Sequence, residues 1–392
     1  MKNVDNLRRQ SEEQQQKMYA CWLDTIYWLP SDTKFRLLDA AGSVRDVYYM
    51  TDRQLTALIG LKGCEQILQQ RKRYEPQRVW DYVLGLGISY TYCLTSDFPQ
   101  KLKNIPNPPF GIFYKGKLPD EKIPAVAMIG ARKCSEYGKC MAENFATKLA
   151  SHGINVISGM ALGIDGISQR AALNAGGRSY GVLGCGVDVV YPRSNESLYR
   201  QLLEKGGVIS EYPPGMEPRP ILFPPRNRII SALADAVLVV EARKKSGTLI
   251  TVDMALEQGR EVYAIPGRCT DGLSMGCNEL LRQGAAIATD PEDIIHDMAW
   301  EELTDNTMET GLEWKRNCKS NDNSLSPMAQ EILRQLDVLP VTQDYLIRKL
   351  RESGSICGVP QICQGLVELE LKGLALRQNG QYCLSPDAAL NR

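Results

Sequence analysis

Residues 223–251 read FPPRNRIISALADAVLVVEARKKSGTLIT, and they decide the fold because an apolar strand, AVLVVEA, stands between two polar, cationic segments. An unbroken apolar run of this length is typical of a strand that is covered on both faces. After the strand, Ser246-Gly247-Thr248 begins the helix LITVDMALEQG. The first amides of a helix have no backbone partner, and the helix dipole favours negative charge there. The turn therefore predicts an anion site.

The segment before the strand predicts a loop that carries Arg226, Asn227 and Arg228 behind the aromatic Phe223. Arginine and asparagine donate hydrogen bonds to phosphate, and an aromatic ring offers a face on which a base can stack. The segment after the strand adds three cations ahead of the anion site, which are Arg243, Lys244 and Lys245. Together the two segments indicate a phosphodiester ligand.

The composition of the chain limits what kind of protein it can be. Its 392 residues are 43% hydrophobic, enough for a large core, and its 46 Lys and Arg balance its 46 Asp and Glu. This balance excludes a general polyanion binder, so a nucleic-acid surface has to be a local patch. The polar start of the chain lacks the apolar region of a secretory signal, and no run reaches the roughly 18–20 apolar residues of a membrane span. We expect a cytoplasmic protein that does not contact a membrane.

The twelve cysteines do not have the spacing of a metal site. No pair forms CxxC, and the two histidines, His152 and His296, lie outside the polar loops. Structural zinc sites usually contain such pairs or Cys/His clusters. We expect reduced thiols, no bound metal and no cofactor.

Strands and helices alternate between residues 123 and 298. The strand-like runs are AVAMIG, INVISG, RSYGVLG, GVISE, AVLVVEA and EVYAIPG, and the helical stretches between them end in glycine. This alternation predicts a parallel sheet with helices on both faces, in which ligands bind at the carboxyl ends of the strands. Upstream, GISYTYCL and GIFYKG predict two strands at the edge of the sheet. A proline-rich loop, DFPQKLKNIPNPPF, joins them, and we expect no helix in it.

Helical patterns flank this core at both ends. From residue 18 to residue 74, glycines stand before or between short helices, as in helix–hairpin–helix units, which either grip DNA or contact proteins. Towards the end of the chain, three helical stretches and the hairpin LALRQNGQYCL, with an Asn379-Gly380 turn, have the order of a winged helix-turn-helix. The presumed recognition helix, Val359–Leu371, carries two glutamates. It is poor material for binding phosphates, so dimerisation or docking of a protein stays an alternative.

Three further loops join a strand end to a helix start. IGARKCSEYG places Gly130 where a ligand can approach the backbone, Arg132 as a fork of donors and Ser135 as a helix cap. SGMALGID and LGCGVDVVYPRSN add small and acidic residues, of which Ser158 and Asp165 fit a local turn as well as a ligand contact. The GCG of the last loop lacks the third glycine of a dinucleotide fingerprint, and the chain has no Walker motif, so we expect neither an NAD site nor a P-loop.

No pattern in the loops predicts catalysis. An enzyme would be expected to show a nucleophile beside a base, a carboxylate pair or a set of metal ligands. The loops offer only four candidate acids, Asp165, Asp188, Glu211 and Glu241. We therefore interpret the site as one that binds without chemistry.

Several motifs follow one another in a fixed order: GARKCSEYG, SGMALGID, GVLGCGVDVVYPRSN, ISEYPPG, FPPRNRIIS, EARKKSGTLIT, and IPG with the later SMGCNELLRQGA. Over residues 92–293 they resemble the motifs of the DNA-processing protein A family, also called DprA or Smf. The resemblance implies an α/β fold with an extended Rossmann-like domain at residues 77–300. The small helical domain at residues 1–76, the linker at 301–324 and the winged-helix domain at 325–392 fit the layout of that family.

The resemblance also implies a function. Such proteins bind single-stranded DNA in the cytoplasm during natural transformation, protect the incoming strand and help load the RecA recombinase past single-strand-binding protein. They act as dimers joined through the Rossmann-like domain. Carried over by position, the DNA pocket would consist of Gly130, Arg132, Ser158, Gly159, Phe223, Arg226, Asn227, Arg228, Lys245, Ser246, Gly247 and Thr248.

One position departs from the family pattern. After GIDG the family commonly has a histidine two or three residues on, whereas this chain has Ile167-Ser168-Gln169-Arg170. If that histidine is structural, Gln169 can supply its hydrogen bond. If it takes part in a reaction, its absence weakens an enzymatic interpretation.

Two other functions stay open. The chain is also similar to the cytokinin-activating phosphoribohydrolases, whose Rossmann-like sheet binds phosphate on a helix after a GGxGT turn. KKSGTLIT stands in place of that turn, and Glu257 is the only approximate candidate for the catalytic acid. The third function is a scaffold with a vestigial sheet, and the cationic loop residues speak against it.

Overall fold

Twelve strands in two sheets organise the part of the chain that the computed structural model describes, which is residues 2–301, 325–337, 339–352, 358–378, 380–385 and 388. Nine of these strands form the central sheet. They are β1 (Ser89–Tyr92), β2 (Gly111–Gly116), β3 (Ala125–Ile129), β4 (Asn155–Ser158), β5 (Ser179–Val182), β6 (Gly206–Ser210), β7 (Ala236–Val239), β8 (Glu261–Ala264) and β9 (Ala286–Ile287).

The order of the strands across the sheet is β1-β2-β6-β5-β4-β3-β7-β8-β9. The seven strands from β6 to β9 run parallel, and β2 is antiparallel to both of its neighbours. The chain order reverses between β3 and β7, whose last paired residues are Ile129 and Val239, so their carboxyl ends lie side by side. In open parallel sheets, the crevice at such a switch point is the usual place for a ligand. The predicted α/β core, with its two-stranded edge, is confirmed.

Helices cover both faces of the sheet. They are α1 (Lys2–Asp24), α2 (Ser31–Ala41), α3 (Val44–Tyr49), α4 (Asp52–Arg73), α5 (Pro76–Gly85), α6 (Gln100–Lys103), α7 (Glu136–Ser151), α8 (Ile164–Asn174), α9 (Glu196–Lys205), α10 (Phe223–Leu233), α11 (Gly247–Glu257), α12 (Met275–Arg282) and α13 (Pro291–Asp297). One buried cluster contains Phe145 of α7 and Ile294 of α13, and another contains Ile229 of α10 and Val252 of α11. The core is therefore layered, with the sheet between two sets of helices.

Two segments that the sequence predicts to be loops are helical, and both predictions were wrong. In α10, Pro224 and Pro225 lie in the first turn, where a backbone N–H has no intrahelical acceptor and the fixed φ of proline suits the helix. These prolines start the helix instead of excluding it. The short helix α6 forms inside the proline-rich segment, because Pro99 stands at its N-cap and the next proline follows only at Pro106.

The helical N-terminal region shares one continuous core with the sheet. Trp22 of α1 and Phe113 of β2 belong to the same buried cluster. At the junction, the buried carboxylate of Asp24 accepts hydrogen bonds from Lys34 Nζ and Tyr90 Oη, each 2.7 Å long. The boundary predicted at residue 76 falls at the first residue of α5, and the core continues across it.

The described C-terminal residues form a small unit with its own apolar core. Its elements are α14 (Pro327–Gln335), β10 (Val341–Thr342), α15 (Gln343–Glu352), α16 (Val359–Leu371), β11 (Ala375–Gln378) and β12 (Gln381–Leu384), and the strands lie in the order β10-β12-β11. The three helices and the final hairpin agree with the sequence pattern, while the winged-helix assignment stays a prediction. Asn379 and nearly all of the predicted linker lie outside the described residues. Among those residues, none of the helices has the length and hydrophobicity needed to traverse a lipid bilayer.

We predict that Lys34→Ala destabilises the protein by about 3–5 kcal/mol near neutral pH, because it leaves the Asp24 carboxylate buried without a cation. Burial raises the pKa of Asp24, and Lys34 opposes that rise. The destabilisation should therefore shrink as the pH falls and Asp24 takes up a proton. Urea unfolding at several pH values measures it. Asp24→Asn with Lys34→Met is the control and should recover part of the loss, and a Lys34→Ala variant as stable as wild type would contradict the prediction.

Candidate functional site

A cavity of about 460 Å³ opens at the carboxyl ends of β3 and β7. The segments after β3, β4, β5 and β6 form part of its wall, and residues of α8, α10 and α11 also line it. Its lining residues include Gly130, Arg132, Ala161, Asp165, Tyr191, Pro218, Pro220, Phe223, Pro224, Arg226, Asn227, Ile230, Ser246, Gly247, Thr248, Ile250 and Thr251. The cavity lies at the switch point of the sheet, as expected for a ligand site in this kind of fold.

The ring of Phe223 stands at the centre of the cavity wall. The guanidinium carbons of Arg132 and Arg226 lie 5.6 Å and 5.8 Å from the ring centroid, and Tyr191 stacks on the ring at 5.7 Å. A Cβ atom on Gly184 would come within 2.6 Å of Phe223 Cδ1, so only glycine leaves space for the ring at that position. Two cations and two rings are thus assembled in one place, which is a suitable surface for a base and a phosphate.

The guanidinium group of Arg226 is buried and held by the backbone. Its Nη1 atom donates to the carbonyl oxygens of Gly159, at 2.8 Å, and of Val182. A Cβ atom on Gly159 would lie 2.4 Å from the same nitrogen, so this glycine makes room for the arginine. Burial lowers the pKa of Arg226, and the nearby carboxyl of Asp165 opposes that effect. Arg226 therefore holds the loop after β4 and the end of β5 in place. Because it is buried, its charge is less accessible to a ligand than the sequence suggests.

Arg132 is the exposed cation of the cavity. In the described parts of the chain, no carboxylate pairs with its guanidinium group. Its charge further lowers the pKa of the neighbouring Arg226. An anion bound between the two arginines would relieve this repulsion, so the geometry favours a negatively charged ligand.

The N-terminus of α11 completes the site. Ser246 caps it, because its Oγ accepts a hydrogen bond from the amide of Thr248 at 3.2 Å. Thr248 Oγ1 donates to the carbonyl oxygen of Gly130 at 3.3 Å, which joins this turn to the loop after β3. The amide of Gly247 is exposed and has no partner among the described residues. The turn that the sequence predicts to bind an anion lines the cavity, and anion binding there stays a prediction.

A second helix N-terminus nearby, that of α7, already holds an anion of the protein itself. The buried carboxylate of Glu241 accepts hydrogen bonds from the amide of Ser135, at 2.9 Å, and from the Ser135 hydroxyl. A Cβ atom on Gly138 would lie 2.2 Å from Glu241 Oε2, so the carboxylate fills the space at this helix start. Burial raises the pKa of Glu241, and the Ser135 hydrogen bonds oppose the rise. This helix start is therefore closed to a ligand.

The structure brings together eight of the twelve residues carried over from the family resemblance and places four outside the cavity wall. Ser158 is buried and donates to the carbonyl oxygen of Met128 at 2.6 Å. Gly159 lies under Arg226. Arg228 forms a two-hydrogen-bond ion pair with Glu211, at 2.7 Å and 2.8 Å.

Lys245 is the fourth, exposed beside the cavity but not part of its lining. The side chains of Ser158 and Arg228 are engaged inside the protein, and Gly159 makes room for Arg226. Direct contact of these three residues with DNA would have to displace existing interactions.

Gln169 makes buried hydrogen bonds, which fits the first of the two alternatives that the sequence left open for this position. Its side chain is fully buried, accepts a hydrogen bond from the amide of Met160 and donates one to the carbonyl oxygen of Tyr180. It thus ties the loop after β4 to β5.

The sequence alone did not single out several wall residues, which are Tyr191, Pro218, Pro220, Ile230 and Ile250. The sequence contains one signal for Tyr191, its position before Pro192 in YPRSN, and this pair predicts a turn but not a ligand site.

Comparisons with known proteins identify the family of the chain. The family model described as DNA recombination-mediator protein A matches residues 89–299, more than half of the chain. DNA processing protein DprA of Streptococcus pneumoniae is 42% identical over 198 residues, which cover 50% of this chain and 70% of that protein. Protein Smf of Escherichia coli is 36% identical over 288 residues, 73% of this chain and 74% of its own length.

The solved structure of a relative shares the fold of this chain. The X-ray structure of DNA processing protein A from Streptococcus pneumoniae superposes with a TM-score of 0.63 at 32% identity, covering 70% of this chain and 95% of that one. The chain belongs to the DNA recombination-mediator protein A family, to which the DprA and Smf proteins are related. The family predicted from the ordered motifs is confirmed.

We predict that Arg226→Ala lowers the free energy of unfolding by about 3 kcal/mol, because the substitution leaves two buried carbonyl oxygens without a donor and Asp165 without its nearest cation. Urea unfolding followed by tryptophan fluorescence measures the loss. Arg226→Lys, which keeps the charge but not the fork of donors, should fall between. An Arg226→Ala variant with an unchanged unfolding midpoint would show that the arginine acts on the ligand alone.

Proposed function

We propose that the cavity binds single-stranded DNA, and that the protein mediates recombination by protecting a strand and helping to load a recombinase on it. The observation that carries the proposal is the convergence of three features on one wall: the exposed guanidinium of Arg132, the ring of Phe223 and the open helix start at Gly247. The family to which the chain belongs, described as a recombination mediator, supports the same function.

Each feature suits one part of a nucleotide. A phosphate binds at the α11 N-terminus, where the dipole and the Gly247 amide favour an anion, and Arg132 adds a charge-assisted hydrogen bond. A base stacks on Phe223, a contact worth about 1–3 kcal/mol, and this is tolerant of sequence because every base has a π-face. A duplex covers those faces, so the arrangement favours a single strand.

The carboxylates around the cavity support binding without catalysis. Asp165 Oδ2 accepts a hydrogen bond from the amide of Gly159 at 3.1 Å, and Glu241 is bound to Ser135. Burial raises the pKa of both carboxyl groups. Both acids hold backbone in place, which is the role a binding site requires of them. A second chain, RecA and single-strand-binding protein belong to the proposal as partners, on the strength of the family resemblance.

We expect Arg132→Ala to weaken binding of a poly-dT oligonucleotide about tenfold, since one charge-assisted hydrogen bond to phosphate is lost. The slope of log affinity against log salt should fall by about 0.7, the value for one phosphate on a single strand. Fluorescence anisotropy across a salt series measures both. Arg200→Ala is the matched control, because Arg200 is an exposed arginine paired with Glu196 on α9, away from the cavity. Equal affinity of the Arg132→Ala variant and wild type would refute the site.

The enzymatic alternative predicts that incubation with nucleoside monophosphates releases free base. We expect no release, because Glu257 is exposed at the end of α11 and is not part of the cavity lining. Chromatography of the reaction mixture is the measurement. Base release that disappears in a Glu257→Gln variant would replace DNA binding with nucleotide hydrolysis as the function of this site.

A further inference from the structure

A band of aromatic and cationic side chains lies on the surface of the N-terminal helices, in α3, at the end of α4 and just after α4. Two of its tyrosines are exposed, Tyr49 at 61% and Tyr74 at 40% of their surface. An arginine lies over each ring: Arg45 at 6.0 Å from the centroid of Tyr49 and Arg73 at 5.1 Å from that of Tyr74. We call this band the Tyr49–Tyr74 surface.

Contacts through the interior connect the Tyr49 ring to the backbone of Tyr74. Tyr49 packs edge-on against Tyr48 at 5.1 Å, and Tyr48 packs edge-on against Trp22 at 4.8 Å. The indole nitrogen of Trp22 donates to the carbonyl oxygen of Tyr74 at 2.9 Å. Beneath the band, Arg71 lies 5.7 Å from the Tyr48 ring and donates to the carbonyl oxygens at the end of α3. The Tyr49 ring and the backbone of Tyr74 are therefore joined through Tyr48 and the buried Trp22.

The charge left open on this surface is positive. Arg45, Lys72 and Arg73 are exposed, and none of them has an ion-pair partner in the described part of the chain. Of the nearby acids, Glu75 pairs with Arg78, Asp46 accepts a hydrogen bond from Ser43 in the cap of α3, and Asp52 faces Arg71. A ligand for this surface would meet cations and ring faces together.

We propose that the Tyr49–Tyr74 surface is a second contact site for single-stranded DNA, which extends the site proposed in the cavity and rests on that function. Bases stack on the exposed tyrosines while Arg45, Lys72 and Arg73 neutralise phosphates. Sequence-tolerant strand-binding proteins combine exposed rings with neighbouring cations in this way. The charge complementarity favours a polyanion over an apolar protein segment, and the exposed ring faces favour a single strand over a duplex.

The test compares a short oligonucleotide of about 6 nucleotides, enough to fill the cavity, with one of about 30 nucleotides. In the full-length protein, Tyr49→Ala with Tyr74→Ala should weaken binding of the long strand about tenfold and leave binding of the short strand unchanged. Arg45→Ala with Arg73→Ala should do the same and lower the salt slope for the long strand only. Tyr82→Ala is the control for the rings, because Tyr82 is 58% exposed on α5 and no cation lies over its ring among the described residues. Arg200→Ala with Arg282→Ala is the control for charge, because both arginines are exposed, are paired with glutamates and lie outside the N-terminal helices.

Three outcomes would overturn the proposal: no loss for the long strand, an equal loss for both lengths, or an equal loss for a duplex of the longer length. Photo-crosslinking of wild type with a 5-iododeoxyuridine strand gives an independent readout, and the crosslinked peptides should contain Tyr49 or Tyr74. Absence of both peptides would also count against the surface. Arg132→Ala separates the two sites, because it tests the cavity on the short strand. If Arg132→Ala does not weaken binding of the short strand, the cavity is refuted as a DNA site, whatever the tyrosine variants show.

Discussion

The buried guanidinium group of Arg226 is the contact on which the site depends. It joins α10 to the loop after β4 and to the last residue of β5 through two backbone carbonyl oxygens. Because α10 begins at Phe223, the position of the aromatic ring follows from this anchor. Gly159 and Gly184 lack a Cβ so that the arginine and the ring can sit where they do. The glycines of the loops therefore serve internal packing at these two positions, and the ligand meets a wall that is formed before it arrives.

The two helix N-termini near the cavity differ in whether a carboxylate of the protein already binds them. The N-terminus of α7 is neutralised by Glu241, a carboxylate from the strand-end loop after β7, while the N-terminus of α11 stays open. With Arg226 buried and Arg228 paired to Glu211, Arg132 is the cation on the cavity wall that is both exposed and without an ion-pair partner in the described residues. A chain with balanced charges can in this way still present a local positive charge at the cavity.

The periodicity of the sequence predicted the sheet and most of its helices because burial on both faces imposes apolar strands of recognisable length. It failed at α10, where prolines in a first turn look the same in sequence as prolines in a loop. The roles of Ser158 and Arg228 could not be predicted either. Their partners, Met128 and Glu211, are distant in the chain, and only the folded backbone brings them together. Eight of the twelve residues carried over from the ordered motifs do line the cavity, because most of these motifs follow the end of a strand.

The shared core of the N-terminal helices and the sheet has a mechanical consequence. Asp24, Lys34 and Tyr90 connect α1, α2 and β1 in the interior, where a flexible joint would have left an exposed seam. A force on α1 or α2 is therefore transmitted to β1 through these hydrogen bonds, because the shared core leaves no hinge between them. A DNA strand bound at both the cavity and the Tyr49–Tyr74 surface would therefore follow a path of fixed length and direction.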